Sequence, residues 1–105
     1  MNYQDEYGIT AKINSILANI TSWNRLLWTK DTLRQANRAN SIGELTVVYN
    51  KYIDGQLAHL DLVEILEYCC PGCYWETSDI PDSEELVRFH VKFPKGTMDI
   101  PPHLR

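Results

Sequence analysis

The stretch Leu86-Val87-Arg88-Phe89-His90-Val91-Lys92-Phe93 decides the fold class. Val87, Phe89, Val91 and Phe93 alternate with Arg88, His90 and Lys92. A period of two puts the apolar set on one side of a strand, whereas a helix would scatter it around its axis. A strand is therefore predicted over about 86–93. Upstream, Cys73-Tyr74-Trp75-Glu76-Thr77 is rich in β-forming residues and predicts a partner strand over about 73–77. A lone hairpin is marginal in water, so this one must pack on the rest of the chain. Between the strands lies the acidic run Ser78-Asp79-Ile80-Pro81-Asp82-Ser83-Glu84-Glu85, read as a loop or a short helix.

The N-terminal two thirds carry helical periodicity. Ile9, Ile13, Ile16, Leu17, Ile20, Trp23 and Leu27 follow the i, i+3, i+4 pattern and predict an amphipathic helix over about 9–28. Thr29 is positioned to cap a second helix over about 29–39, the alternative being that the first helix runs on to Arg38. Ser41 with Glu44 three residues later makes a capping box, and predicts a helix over about 42–54. Leu45, Val48, Tyr49, Tyr52 and Ile53 would form its apolar face, and Asp54-Gly55 its stop. Asp61 and Glu64 open a last helix over about 61–70, ended by Pro71-Gly72. The expectation is an α+β fold: three to four helices followed by a C-terminal hairpin, in a single domain over residues 1–105.

Composition fits a globular chain, with 44% hydrophobic and 23% charged residues in 105. No apolar run approaches the roughly 18 residues of a membrane span. The opening Met1-Asn2-Tyr3-Gln4-Asp5-Glu6 is polar and acidic, unlike a secretory signal. A cytoplasmic protein with reduced thiols and no membrane partner is expected. Asn19-Ile20-Thr21 matches a glycosylation sequon, but it falls on the apolar stripe and is read as chance.

Charge is uneven. The chain carries a net −4, yet residues 1–60 sum to +1 and residues 61–105 to −5. From Asp61 to Glu85 there are eight acidic residues and no Lys or Arg. Such one-signed stretches mark either an interaction face or a solvated surface.

Three motifs invite chemistry. Cys70 and Cys73 form a C-x-x-C pair, the spacing of redox thiols or half a zinc site. A helix C-terminus and the nearby Glu64, Glu67 and Glu76 disfavour a reactive thiolate. Zinc would draw on Cys70, Cys73 and His90, with Cys69 or His103 as a fourth ligand, in a spacing that matches no standard finger. The plain alternative is a type II turn with Pro71 and Gly72 at its centre. The second motif, Asn50 to Asp61, has the outline of an EF-hand loop. It places Tyr52 at a ligand position and the short Asp61 where a bidentate Glu belongs, so calcium is not expected. Third, Lys30, Arg34 and Arg38 stack on one helical face and are the candidate nucleic-acid contacts. No glycine-rich phosphate loop, G-x-S-x-G or H-E-x-x-H occurs, and His59, His90 and His103 lack a nucleophile motif.

The order helix, helix, helix, hairpin resembles a winged-helix DNA-binding domain. That resemblance implies DNA against the helix over 61–70 and the hairpin tip. Here those surfaces carry Asp61, Glu64, Glu67, Asp79, Asp82, Glu84 and Glu85, which phosphate repels. The expected function is non-enzymatic and cofactor-free. An acidic face made of Tyr74, Trp75, Glu76, Asp79, Asp82, Glu84 and Glu85 would bind a basic protein partner. An inhibitor or immunity or anti-defence protein that covers a nucleic-acid-binding surface is the class that fits. Two alternatives are a nucleic-acid-binding regulator using Lys30, Arg34 and Arg38, and a small zinc or thiol-redox protein using Cys70 and Cys73. Self-association as a homodimer is the other assembly considered.

Overall fold

The computed structural model describes residues 3–94, and of residues 3–7 the backbone alone. His103 and most of the proline-rich tail lie outside the described residues. Three helices, α1 (Tyr3–Ala18), α2 (Trp23–Ala39) and α3 (Leu60–Cys69), join a sheet of β1 (Glu44–Asn50), β4 (Tyr74–Asp79) and β5 (Leu86–Lys92). Two short strands, β2 (Tyr52–Ile53) and β3 (Gln56–Leu57), form a separate hairpin. The larger sheet is antiparallel in the order β1-β5-β4. The α+β class and the C-terminal hairpin are as the sequence predicts. No helix among the described residues is long and apolar enough to cross a membrane.

Register explains which face is buried. Leu45, Val91 and Trp75 share one row across the sheet, and Val47, Phe89 and Thr77 the next. Phe89 and Val91 are fully buried, as expected for the middle strand. The helices supply the other half of the core. Ile13, Ile16 and Leu17 come from α1, Leu33 and Ala36 from α2, and Leu62, Ile65, Leu66 and Cys69 from α3. Helix α1 packs on α3, while α2 packs on β1 and α3. Truncating Phe89 to Ala would remove about 3–5 kcal/mol at such a site.

The helix expected over 42–54 is not formed; that segment is β1 followed by β2. Leu45, Val47 and Tyr49 turn inward, while Glu44, Thr46, Val48 and Asn50 are exposed. Leu45 and Tyr49 satisfy both periodicities, so the pattern alone was ambiguous. The β-branched run Thr46-Val47-Val48 favours the strand, and β5 offers it a full antiparallel partner. Ser41 is no N-cap either: its hydroxyl donates to the Arg38 carbonyl at 2.9 Å and helps close α2. Three helices still precede the C-terminal hairpin, with β1 inserted between the second and third and paired to β5.

The single helix expected over 9–28 is interrupted at residues 19–22, which separate α1 from α2. Ser22 caps α2, its hydroxyl accepting from the Arg25 amide at 3.1 Å. The break rotates the following face, so Trp23 is 68% exposed rather than in the core. Thr29 is fully buried inside α2 and caps nothing.

Two of the Gly-containing turns join the elements beside the site, and each has a stereochemical reason. Asp54 (φ 51°) and Gly55 (φ 80°) are both left-handed, as the two-residue turn between β2 and β3 requires. At Cys70-Pro71-Gly72-Cys73 the Cys73 amide donates to the Cys70 carbonyl at 3.1 Å, and Gly72 has φ 85°. That is the expected type II turn.

Candidate functional site

The acidic stretch from Asp61 to Glu85 divides into three places. Asp61, in the first turn of α3, accepts from Arg25 Nε at 2.8 Å. Arg25 is buried, and its guanidinium also donates to the Gln56 side chain. Asp54 accepts from the Ser22 hydroxyl and from Asn24. Together these groups bolt the start of α2 onto the β2–β3 hairpin and the start of α3. Asp54 and Asp61 are thus engaged by protein donors, in keeping with the missing calcium ligands. Glu64 and Glu67 lie on the exposed side of α3.

The remaining five carboxylates belong to β4 and the β4–β5 connection. Glu76, Asp79, Asp82, Glu84 and Glu85 are all exposed. None forms an ion pair with a Lys or Arg among the described residues. The connection is ordered by its own chemistry. The Ser83 amide donates to the Ile80 carbonyl at 3.2 Å, with Pro81 and Asp82 between them. Asp82 has φ 65°, the left-handed position of a type II turn, which normally takes Gly or Asn. Ser83 Oγ accepts from the Leu86 amide at 3.0 Å. The Lys51 amide donates to the Glu85 carbonyl at 2.8 Å, tying the connection to the end of β1. There Glu84 and Glu85 border an open depression with Asn50 and the exposed Tyr52. The segment read as loop or short helix is a β-turn that holds its carboxylates outward.

Tyr74 and Trp75, adjacent in sequence, face opposite sides of the sheet. Tyr74 is exposed and donates to Glu76 at 3.1 Å, and this bond raises the phenol pKa. Trp75 points inward, its ring 6.1 Å from Phe89 and 6.0 Å from His59. Tyr74 therefore belongs with the acidic surface, and Trp75 supports it from behind.

Behind the sheet lies an aromatic cluster that sequence reasoning did not assemble. Trp28 and Tyr49 are 4.8 Å apart, and the Tyr49 phenol lies 2.9 Å from His59 Nδ1. Burial lowers the His59 pKa, and Lys51 lowers it further. Burial pushes the Tyr49 phenol up to about 12. A protonated phenol donating to a neutral imidazole is the arrangement both shifts favour.

Also unforeseen is a Glu-His-Thr line on the outer face of the sheet. His90 Nδ1 is 2.7 Å from Thr46 Oγ1, and His90 Nε2 is 3.4 Å from Glu44. Cross-strand register brings them together, since Thr46 and Glu76 both lie opposite His90. Nucleophilic catalysis also needs a cleft and aligned oxyanion donors. This trio sits on an open sheet face, and we assign it no catalysis.

The other candidates are placed as follows. Cys70 is buried and Cys73 half-buried, at the end of α3. Burial, then Cys70 and Glu67, push the Cys73 thiol up to about 11. His90 is held by Thr46 and Glu44, and no group of three or more metal-binding side chains assembles among the described residues. Lys30 and Arg34 are partly buried and Arg38 exposed on α2, and Arg34 pairs with Asp31 at 3.2 Å. Trp23 and Leu27 are exposed on the same helix.

No protein-family model, no curated protein and no solved structure matches this chain.

Proposed function

We propose that this chain is a non-catalytic interaction protein whose acidic hairpin end binds a basic partner protein. The observation that carries this reading is the fixed, unneutralised carboxylate surface of Glu76, Asp79, Asp82, Glu84 and Glu85. Mutual repulsion makes such a cluster unfavourable for the chain alone. A cationic surface would remove that repulsion on docking and steer the encounter. The Asp82 geometry adds to the argument. A carboxylate occupies a backbone position that Gly would occupy with less strain. Tyr74 lies at the margin of the acidic surface and supplies an aromatic contact of the kind enriched at interfaces.

A partner that normally binds nucleic acid presents the complementary surface, so inhibition by occupying it is the activity we assign. The alternative through Lys30, Arg34 and Arg38 is weaker, because Asp31 already offsets Arg34. The thiol alternative is disfavoured by a Cys73 thiol with its pKa near 11, since the thiolate is the reactive form.

The test is affinity capture of partners at low and high salt, with the native chain and with a variant reversing all five carboxylates to Lys. Loss of a basic partner in both high salt and the variant supports the reading. Undiminished capture of every partner by a variant whose circular dichroism is unchanged overturns it.

A further inference from the structure

The middle strand of the sheet is β5, so among the described residues β4 has a hydrogen-bonding neighbour on one side only. Along its other side, alternate residues of Tyr74–Asp79 turn backbone N–H and C=O groups outward. The other outer strand, β1, has α2 packed against it, whereas β4 packs chiefly on β5. From Glu76 to Asp79 four consecutive residues are exposed, so both faces of the strand are open there. A bare edge of this kind is a template for another strand.

Charge selects the occupant. Glu76 lies on the outer face and Asp79 on the inner, three residues apart. A second copy paired antiparallel through β4 would bring two more carboxylates to the same short ladder, with an Asp82-centred turn at each end. Like charges across a ladder oppose pairing. A basic strand meets the reverse situation.

We propose that β4 accepts an extended segment of the basic partner as a fourth, antiparallel strand. Lys or Arg at two positions three apart would face Glu76 and Asp79. This rests on the basic-partner reading above and adds its mode: backbone hydrogen bonds along β4, with charge choosing the sequence. The segment needs about six residues, roughly 20 Å at strand rise.

The probe is a blocked nine-residue peptide of Thr and Val carrying two lysines three positions apart. Two further versions are methylated on alternate backbone nitrogens, in opposite phases. Binding to the full chain is followed by amide NMR shifts and titration calorimetry. In an added strand every second N–H points at β4 and the others point at solvent. One methylated version should lose at least tenfold in affinity, and the other should change less than twofold. Shifts should centre on residues 74–79, and Glu76→Lys with Asp79→Lys should weaken the parent peptide at least tenfold.

Equal effects of the two methylation phases, no saturable binding, or shifts centred on α2 would each overturn strand addition. So would sedimentation showing a dimer of the free chain that Thr77→Pro dissolves, since a second copy would then own the edge. If the five-carboxylate reversal still abolishes capture of the basic partner in that case, the functional reading survives without this mode. If capture is unaffected while the peptide behaves as expected, the edge is real and the proposed partner class is wrong.

Discussion

Two acidic regions of this molecule are built to opposite rules. Around Arg25, Asp61 accepts a charged hydrogen bond and Asp54 takes up the Ser22 and Asn24 side chains. At the hairpin end, Asp79, Asp82, Glu84 and Glu85 stand in water without a cationic partner among the described residues. The first region converts charge into fold by joining α2, the β2–β3 hairpin and α3. The second leaves its charge exposed to solvent. The same residue type therefore carries two meanings, set by whether a donor waits across the fold.

The largest expected effect that separates the regions is on binding. Reversal of the five hairpin carboxylates should cost more than a hundredfold in affinity for a basic partner, measured by calorimetry at low salt. Each close charge pair is worth on the order of 1.5 kcal/mol or more at a complementary interface. The same variant should unfold at a denaturant midpoint close to the native one.

Next comes Asp61→Ala, which should destabilise the chain by about 1.5–3 kcal/mol because a buried guanidinium loses its charged acceptor. Urea unfolding measures it, and partner affinity of the folded variant should not move. A loss below about 0.5 kcal/mol would erase the distinction between the two regions.

A pH series sharpens the comparison. The His59 pKa is lowered in the fold, so below the unfolded value of 6.5 the unfolded chain binds the extra proton first. Stability should fall as pH drops from about 6.5 through the folded value, and His59→Gln should flatten that slope. At the alkaline end, Cys73 and Tyr49 are raised from 9.0 and 10.0 to about 11 and about 12. Their contribution is complete below pH 9 and fades as pH rises through those windows. The smallest effect belongs to Glu84→Gln, expected within 0.5 kcal/mol of native stability, as surface changes usually are.

What the sequence disclosed follows from how many physical signals agreed. For β5, period-two alternation and residue type pointed the same way. The Cys70–Cys73 turn was legible because Pro and Gly fix their own backbone angles. For β1, Leu45 and Tyr49 fit either period, and a Ser-x-x-Glu match outweighed the β-branched run. The helix break at residues 19–22 was hidden because Ile20 and Trp23 continue the helical spacing that Ser22 interrupts. Of the candidate surface, the charge was legible and the geometry was not. Nothing in the order Tyr74-Trp75 says how far the helical layer extends over the inner face. The Arg25–Asp61 bond joins residues 36 apart, beyond the reach of local pattern.

The placement of β5 between β1 and β4 has a consequence for how the chain is made. The strand that both neighbours need is the last of the three to leave the ribosome. Until residues 86–92 emerge, β1 has no partner in this sheet, and Leu45, Val47 and Tyr49 have no sheet to complete. A chain made only that far would hold its helices with β1 and β4 both unpaired in this sheet, the kind of species that chaperones shield. Synthesis arrested before Leu86 should yield an aggregation-prone fragment, and the sheet should close only after that segment clears the exit tunnel.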